Sequence, residues 1–487
     1  MHQQSKPYIA RNGANHQNHQ NHQNHHRPQP QVSRMATNAD IGKFFDAFLK
    51  DVGQSSEGEL EVRFGTKRGR GAFLKKDYDN VVRRLLSSGF SIHADQSLLR
   101  INNEYVDTNT GNTRMSNVRT ELTGMSNIQD YCRTNLLPEK LHATGVIFNQ
   151  KTGFKAGESF MKPLEFDDFN FRIALQTEHV VQSSHPIIKG LIKDWTEQKK
   201  TFRYINRVSF THPDMPFRVD MSMVKSSKNW IPSYDIAGSD VFAQPVTYEM
   251  EIEMRNDMVR AGTGDDGPYS TSTKTYGVLR KGIQMVLAGL QGTNFPTSYK
   301  EHDQVMVQYM KMIHGTDWDK GGARGSGARG GAPNDASQIR TNDFIGPSSV
   351  TLQMKNVVPE SDNSKVVNIR NQYTVTEKAD GDRKMLYVAP GGKVYLITTA
   401  MAPEFTGMTA RSNEWANTLL DGEHIALNKR GEFINLYAAF DIYFCKGRDV
   451  RGNKFIDLEN PAKTAKPANS AIDKFRHPIL EKFMNDC

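Results

Sequence analysis

Two short segments place carboxylates on one face of an extended chain. In Glu59-Leu60-Glu61-Val62-Arg63-Phe64 the side chains of a strand alternate, so Glu59, Glu61 and Arg63 share one face and Leu60, Val62 and Phe64 the other. In Tyr248-Glu249-Met250-Glu251-Ile252-Glu253 three carboxylates line one face, opposite Met250 and Ile252. Like charges two residues apart repel and Glu is disfavoured in strands, so such a face needs water, cationic side chains or a bound cation. Cations sit on other extended segments with the same alternation. Arg119 and Glu121 alternate with Val118, Thr120 and Leu122, and Arg172 alternates with Phe171 and Ile173. Arg203 shares a face with Arg207, and Arg218 with Asp220. Lys225 has the wrong parity relative to Arg218 unless a bulge intervenes.

An antiparallel sheet with one face in water accounts for any one of these strands. Recurrence over six strands, with acids concentrated on two and arginines on the rest, predicts a closed barrel, charged inside and apolar outside, with helices on its outer surface. Such a lumen suits a hard divalent cation held by carboxylate oxygens and a polyphosphate held by basic side chains. ELEVRFG and YEMEIE, in that order, resemble the two glutamate motifs of the triphosphate tunnel metalloenzymes, specifically the RNA triphosphatases of fungal and large-DNA-virus capping systems. The resemblance covers roughly residues 36–314. It implies Mg²⁺ or Mn²⁺ held by Glu59, Glu61 and Glu253, with Glu249 and Glu251 orienting the attacking water or the neighbouring cations. It also implies phosphate contacts from Arg63, Arg119, Arg172, Arg203, Arg207 and Arg218, and 5′-triphosphate RNA as substrate.

A second constellation lies in TVTEKADGDRKMLYV, where Lys378-Ala379-Asp380-Gly381-Asp382-Arg383 stands between two strand-like runs. A lysine attacks a phosphoanhydride when its amine is neutral or nearly so. Asp421-Gly422-Glu423 follows, and then a strand with Phe440 and Asp441. This trio resembles the first half of the covalent nucleotidyltransferases, the superfamily of mRNA guanylyltransferases and of DNA and RNA ligases. The resemblance implies a lysyl-GMP intermediate on Lys378, with Asp380 and Arg383 at the nucleotide, Glu423 near the ribose or metal, Phe440 stacked on the base, and GTP as substrate. The acidic EG-type strand and lysine-rich KxK-type strand of that superfamily are not found before Cys487. The expectation is therefore a partial transferase, completed by a separate chain or a further C-terminal part, with a cap methyltransferase as a further partner.

The expected fold class is α+β: an antiparallel β-barrel of the triphosphate tunnel kind with flanking helices, then a partial nucleotidyltransferase α+β domain. Helices are expected over Asn38–Gly53, capped by Asn38 or Asp40, and over Lys75–Ser88, ended by Gly89. Further helices are expected at about 272–291 and 300–313, a hairpin turn at 107–113, and a second strand-rich region from FIGPSSVTLQM at 344–354. The expected divisions are a disordered His/Gln/Asn-rich tail over 1–35, the barrel over 36–314, a Gly-rich linker over 315–343 and the transferase part over 344–487.

Composition is less informative. The 487 residues carry a net charge of +8, half of which comes from Lys6, Arg11, Arg27 and Arg34 in a tail without acids. Bulk charge is thus a poor guide to the partner. Three cysteines form no disulfide framework or four-ligand zinc site, and no apolar run is long enough to span a membrane. An intracellular protein is expected, and the fusion of the two enzyme types implies a large DNA virus, acting in host cytoplasm or a virion.

Overall fold

In the computed structural model, residues 36–486 are described, other than 55–57, 66–71, 107–109, 139–140, 142–144, 316–317, 319–334, 360–365, 372, 412 and 460–473. The expected disordered tail, most of the Gly-rich linker and the first residues of the 107–113 turn lie outside the described residues.

The helix α1 (Asn38–Gln54) buries Ile41, Phe44, Phe45, Phe48 and Val52, the single face that its three- and four-residue spacing builds. Its cap is Thr37 rather than Asn38 or Asp40. Thr37 Oγ accepts the Asp40 amide at 3.2 Å while Asp40 Oδ2 accepts the Thr37 amide at 2.9 Å, a reciprocal box that uses Asp40 from inside the helix. The helix α2 (Lys75–Ser87) ends before Gly89, whose φ is +87°.

The strands follow as β1 (Gly58–Phe64), β2 (Ser91–Val106), β3 (Thr113–Thr123), β4 (Val146–Gly153), the two-residue pair β5 (Lys155–Ala156) and β6 (Ser159–Phe160), β7 (Leu164–Phe166), β8 (Phe171–Val180), β9 (Lys200–Thr211), β10 (Phe217–Ser226) and β11 (Thr247–Met254). Hydrogen bonding runs in the order β1-β11-β10-β9-β2-β3-β4-β8, and β8 pairs back onto β1, with β7 appended to β8. Eight antiparallel strands therefore close into a barrel with no free edge.

The remaining helices of this part are α3 (Met125–Thr134), α4 (Pro186–Lys193), α5 (Asn256–Ala261) and α6 (Ser272–Gln291). Leu60, Val62, Ile173, Val219, Met250 and Ile252 face outward into one core with α1, α2 and α6. Leu99, Ile101, Val118, Leu122 and Phe148 face outward into another with α3 and α4. The apolar faces of the strands thus leave the charged faces to the lumen. Gly289 lets α6 lie close to α2, since a Cβ there would fall 2.8 Å from Val81 Cα.

A second antiparallel sheet has the order β14-β13-β12-β15-β16-β17, from β12 (Asp382–Val388), β13 (Lys393–Thr398), β14 (Pro403–Thr409), β15 (Thr418–Leu427), β16 (Phe433–Cys445) and β17 (Arg448–Asp449). Met385 and Tyr387 pack on Tyr309 and Met310 of α7 (Tyr299–His314). Leu386 and Val388 pack on Ile479 and Phe483 of the helix Arg476–Asp486. Burial on both faces explains the unbroken apolar run of β12. It also places α7 in the core of the second sheet.

Two expectations for this region fail. Residues 344–354 form no strand, and Val350 is 86% exposed. The TVTE run before Lys378 is not a strand either, and Val375 is exposed. Neither segment pairs with a strand, and β-branched alternation without a partner strand does not make a strand. No helix among the described residues is long and apolar enough to cross a membrane.

Candidate functional site

The lumen is built by register. β11 lies between β1 and β10, with Glu61 and Arg218 flanking Glu253, and Arg63 and Asp220 flanking Glu251. On β9, Arg207 is opposite Ser222 and Arg203 opposite Ser226. Arg119 on β3 and Arg172 on β8 have the same lumen parity. Lys225 has the opposite parity and donates outside the lumen to Phe242 O at 2.6 Å.

Acids and bases interlock across these strands. Arg63 bridges Glu249 and Glu251 at 3.0 Å each, and Arg203 reaches Glu249 at 2.6 Å. Arg207 lies 3.4 Å from Asp220 and 3.5 Å from Glu251. Arg218 joins Glu253 at 2.5 Å and Asp220 at 3.3 Å. Asp220, only 2% exposed, also accepts from Ser209 Oγ at 2.6 Å. Burial works to raise the Glu251 carboxyl, but Arg63 and Arg207 outweigh it and hold that group below the ordinary carboxylate range. Burial and the neighbouring Arg100 depress the Arg119 guanidinium. Among the described residues, Arg119 and Arg172 make no ion pair, and Arg172 Nε is buried without a hydrogen-bond partner.

The Glu59 end of the lumen is the most crowded. Lys151 on β4 places its ammonium 2.7 Å from Glu59, 3.0 Å from Glu61 and 3.6 Å from Glu178. The contact with Glu61 is a hydrogen bond, whereas the one with Glu59 is an ion pair off the hydrogen-bond line. Glu59 and Glu253 share this end of the lumen and are shifted in opposite directions. Burial and the Glu59 charge push Glu253 up to about 9. Burial opposes ionisation of Glu59, but Lys151 prevails and lowers it to about 2. Burial and Glu59 also raise Glu178.

A pH dependence follows with a definite sign. A carboxyl raised from 4.5 to about 9 stabilises the fold fully below its free value, and that contribution is lost as pH rises through about 9. Glu59 acts oppositely, with a contribution lost only as pH falls through about 2. In chelator, the unfolding free energy is therefore expected to fall between about pH 5 and 9, by up to about 1.4 kcal/mol per pH unit, and the melting temperature with it. Glu253→Gln, which keeps a hydrogen-bonding group but does not ionise, should flatten the profile. An equally steep slope in that variant would remove Glu253 as the cause.

Among the described residues, no group of three or more His, Cys, Asp or Glu has the geometry of a metal site. The Lys151 ammonium sits against both Glu59 and Glu61. The donor chemistry nonetheless fits a hard cation. The set contains only carboxylate oxygens, crowded closely enough that burial and the Glu59 charge push Glu253 up.

Two residues that matter here, Lys151 and Glu178, were not among those singled out from the sequence. The same parity test finds both. Ile147, Asn149 and Lys151 alternate with Val146 and Phe148, while Glu178 has the parity of Arg172. Arg100, which pairs with Glu121 at 2.7 Å, was missed in the same way.

In the second sheet, Lys378 lies exposed on the segment entering β12, where its Nζ donates to Ala379 O at 3.2 Å. Asp380 is exposed beside it. The Gly381 amide donates to Glu423 Oε1 at 3.2 Å, which brings the KADG and DGE segments together. Gly422 is required for a close approach, because a Cβ would fall 2.6 Å from the Tyr437 hydroxyl that links β12 and β15. Arg383 is committed to Asp421 through contacts of 3.0 and 2.6 Å, and Tyr443 also donates to Asp421 at 2.6 Å. Phe440 is 38% exposed and lines a cavity of about 390 Å³ with Tyr373, Thr376, Phe455 and Arg476. Lys378 is not among the residues lining that cavity.

A closed eight-stranded antiparallel barrel with helices outside, and acids facing bases inside, is the architecture expected from the two glutamate motifs. Over 274 residues the chain is 25% identical to a protein of Acanthamoeba polyphaga mimivirus described as a probable mRNA-capping enzyme, and is its homologue. The match covers 56% of this chain and 18% of that protein, so the chain spans less than a fifth of its relative's length. Among solved structures, a mimivirus capping enzyme triphosphatase matches at 18% identity and a TM-score of 0.31, over 45% of this chain and 89% of that one. The RNA triphosphatase domain of a trifunctional mimivirus mRNA capping enzyme matches at 16% identity and a TM-score of 0.33, over 52% and 98%. No family model matches the chain.

Proposed function

We propose that the barrel hydrolyses the γ-phosphate of 5′-triphosphate RNA to leave a 5′-diphosphate end, the first step of mRNA capping. The observation that carries this is the meeting of Glu59, Glu61 and Glu253 at one end of a lumen that also carries Arg63, Arg203, Arg207 and Arg218. In this reading Glu59, Glu61 and Glu253 hold Mg²⁺ or Mn²⁺. When bound, the cation supplies Lewis-acid neutralisation of the γ-phosphate oxygens. Arg119 and Arg172, which make no ion pair among the described residues, take the phosphates first. Arg63, Arg203, Arg207 and Arg218 add positive charge around them, each already oriented by a carboxylate. Glu251, held ionised by Arg63 and Arg207, is suited to orient water for in-line attack, and Glu249 fixes Arg63 and Arg203. Water attacks phosphorus, the bond from the γ-phosphorus to the bridging oxygen breaks, and the β-phosphate end leaves as the diphosphate.

The test is release of labelled γ-phosphate from triphosphate RNA with Mg²⁺ or Mn²⁺, beside tripolyphosphate and ATP. Preference for RNA supports the capping reading. Preference for the small substrates makes the protein an inorganic or nucleoside triphosphatase, and RNA binding without release makes it an RNA-binding scaffold.

We further infer that the second sheet is part of a guanylyltransferase that transfers GMP through Lys378. The juxtaposition of the KADG and DGE segments through Gly381 and Glu423 supports it, with Phe440 beside the cavity as a surface for the base. The divisions 36–314, 315–343 and 344–487 belong to this reading, with α7 joining the second sheet by its core contacts. Any GMP adduct formed from labelled GTP should map to Lys378, and Lys378→Ala should abolish it. Lys384→Ala should not, because Lys384 is buried against Glu404 at 2.6 Å. Labelling by AMP from ATP instead of GMP would favour a ligase-like enzyme.

A further inference from the structure

The connection between β10 and β11 carries an aromatic side chain on strained backbone. Asn229 and Trp230 both lie in the left-handed region, with φ of +52° and +59°, where a bulky residue such as Trp is an outlier. The surrounding structure over-determines this turn. The Lys228 amide donates to Ser239 O at 3.0 Å, the Trp230 amide to Ser227 O at 3.0 Å, and the Phe202 amide to the buried Ser227 Oγ at 2.7 Å. The result is a Trp held 59% exposed rather than buried. Strain sustained in this way marks functional positions.

The surroundings indicate what the ring meets. Trp230 lines a cavity of about 510 Å³ with Arg63, Arg172, Tyr248 and Glu249, of which Arg63, Arg172 and Glu249 face the lumen. The Arg203 guanidinium lies 5.8 Å from the Trp230 ring centroid. Cations for phosphate and an exposed aromatic face at the same mouth are the two parts of a site for a single-stranded polynucleotide end.

We propose that Trp230 is a stacking platform for a nucleobase next to the 5′-triphosphate, and that it separates a polynucleotide end from free tripolyphosphate. This rests on the triphosphatase reading and names the feature that would give it RNA as substrate. Inorganic tripolyphosphate has no base and gains nothing from the ring.

The test uses the full chain and a 5′-triphosphorylated oligonucleotide with a 3′ fluorophore. Anisotropy reads binding without turnover, and phosphate release is followed in parallel on this RNA and on tripolyphosphate. Trp230→Ala should weaken RNA binding by about 10-fold while leaving competition by tripolyphosphate unchanged, and Trp230→Phe should recover most of the loss. Unchanged RNA binding in Trp230→Ala, or equal weakening for both ligands, overturns the platform. Trp230-dependent RNA binding by a wild-type chain that releases no phosphate supports the platform and contradicts the hydrolysis it was built on.

Discussion

Glu59→Ala and Glu253→Ala should each lower γ-phosphate release from triphosphate RNA on the order of 10³-fold. The two variants should differ in stability, and that difference makes the prediction specific. Glu253 is a buried carboxyl beside Glu59, pushed up to about 9 by burial and the charge of Glu59. Removing it relieves the crowding, so Glu253→Ala should melt no lower than wild type near pH 8 in chelator. Glu59 is ionised and a partner of Lys151 at 2.7 Å, so Glu59→Ala should melt lower. Lost activity with retained or raised stability is what a group kept for chemistry rather than for folding produces. Wild-type turnover by either folded variant would remove it from the ligand set.

The second large effect is expected at Lys151. Its ammonium compensates Glu59, Glu61 and Glu178 together, and its side chain is 10% exposed. Burial works against the charged ammonium, yet Glu59 and Glu61 raise its affinity for a proton. Removing one partner of a buried ion-pair set leaves uncompensated charge, which costs roughly 3–5 kcal/mol. Lys151→Met should therefore destabilise the metal-free chain by about 3 kcal/mol, read by denaturant or thermal unfolding. Added Mn²⁺ should restore more stability to this variant than to wild type, because the same carboxylates are then free for the cation. No loss in chelator, or no extra rescue by Mn²⁺, would mean that the acids are compensated by other means.

How much of this was legible in the residues depended on whether the signal was local. Strand parity is local, and it identified Glu59, Glu61, Arg63, Glu249, Glu251 and Glu253 as one charged surface. The wrong parity of Lys225 agrees with its donation to Phe242 O outside the lumen. Barrel closure was legible only as recurrence of that parity over several strands, because β1 pairs with β8 and β11 across long stretches of chain. Lys151 and Glu178 passed unnoticed because neither belongs to an acidic motif, although their strands alternate as cleanly as the others.

In the second half the failures have one cause. FIGPSSVTLQM and TVTE carry strand-forming residues, but a strand needs a paired neighbour, and neither segment pairs with the sheet. The position of α7 was invisible for a related reason. Its apolar face reads as helix from the sequence, yet only the fold shows that Tyr309 and Met310 meet Tyr387 and Met385 rather than the barrel. Net charge had the least value, since the lumen arginines and glutamates cancel in the sum while forming the site.

The central claim is that the lumen performs cation-dependent triphosphate hydrolysis on an RNA end. The most direct measurement is γ-phosphate release from γ-labelled triphosphate RNA by the wild-type chain, in Mn²⁺ and in chelator. Release with Mn²⁺, a 5′-diphosphate product and no release in chelator are expected. RNA bound without release in Mn²⁺, or release that persists in chelator, would contradict it.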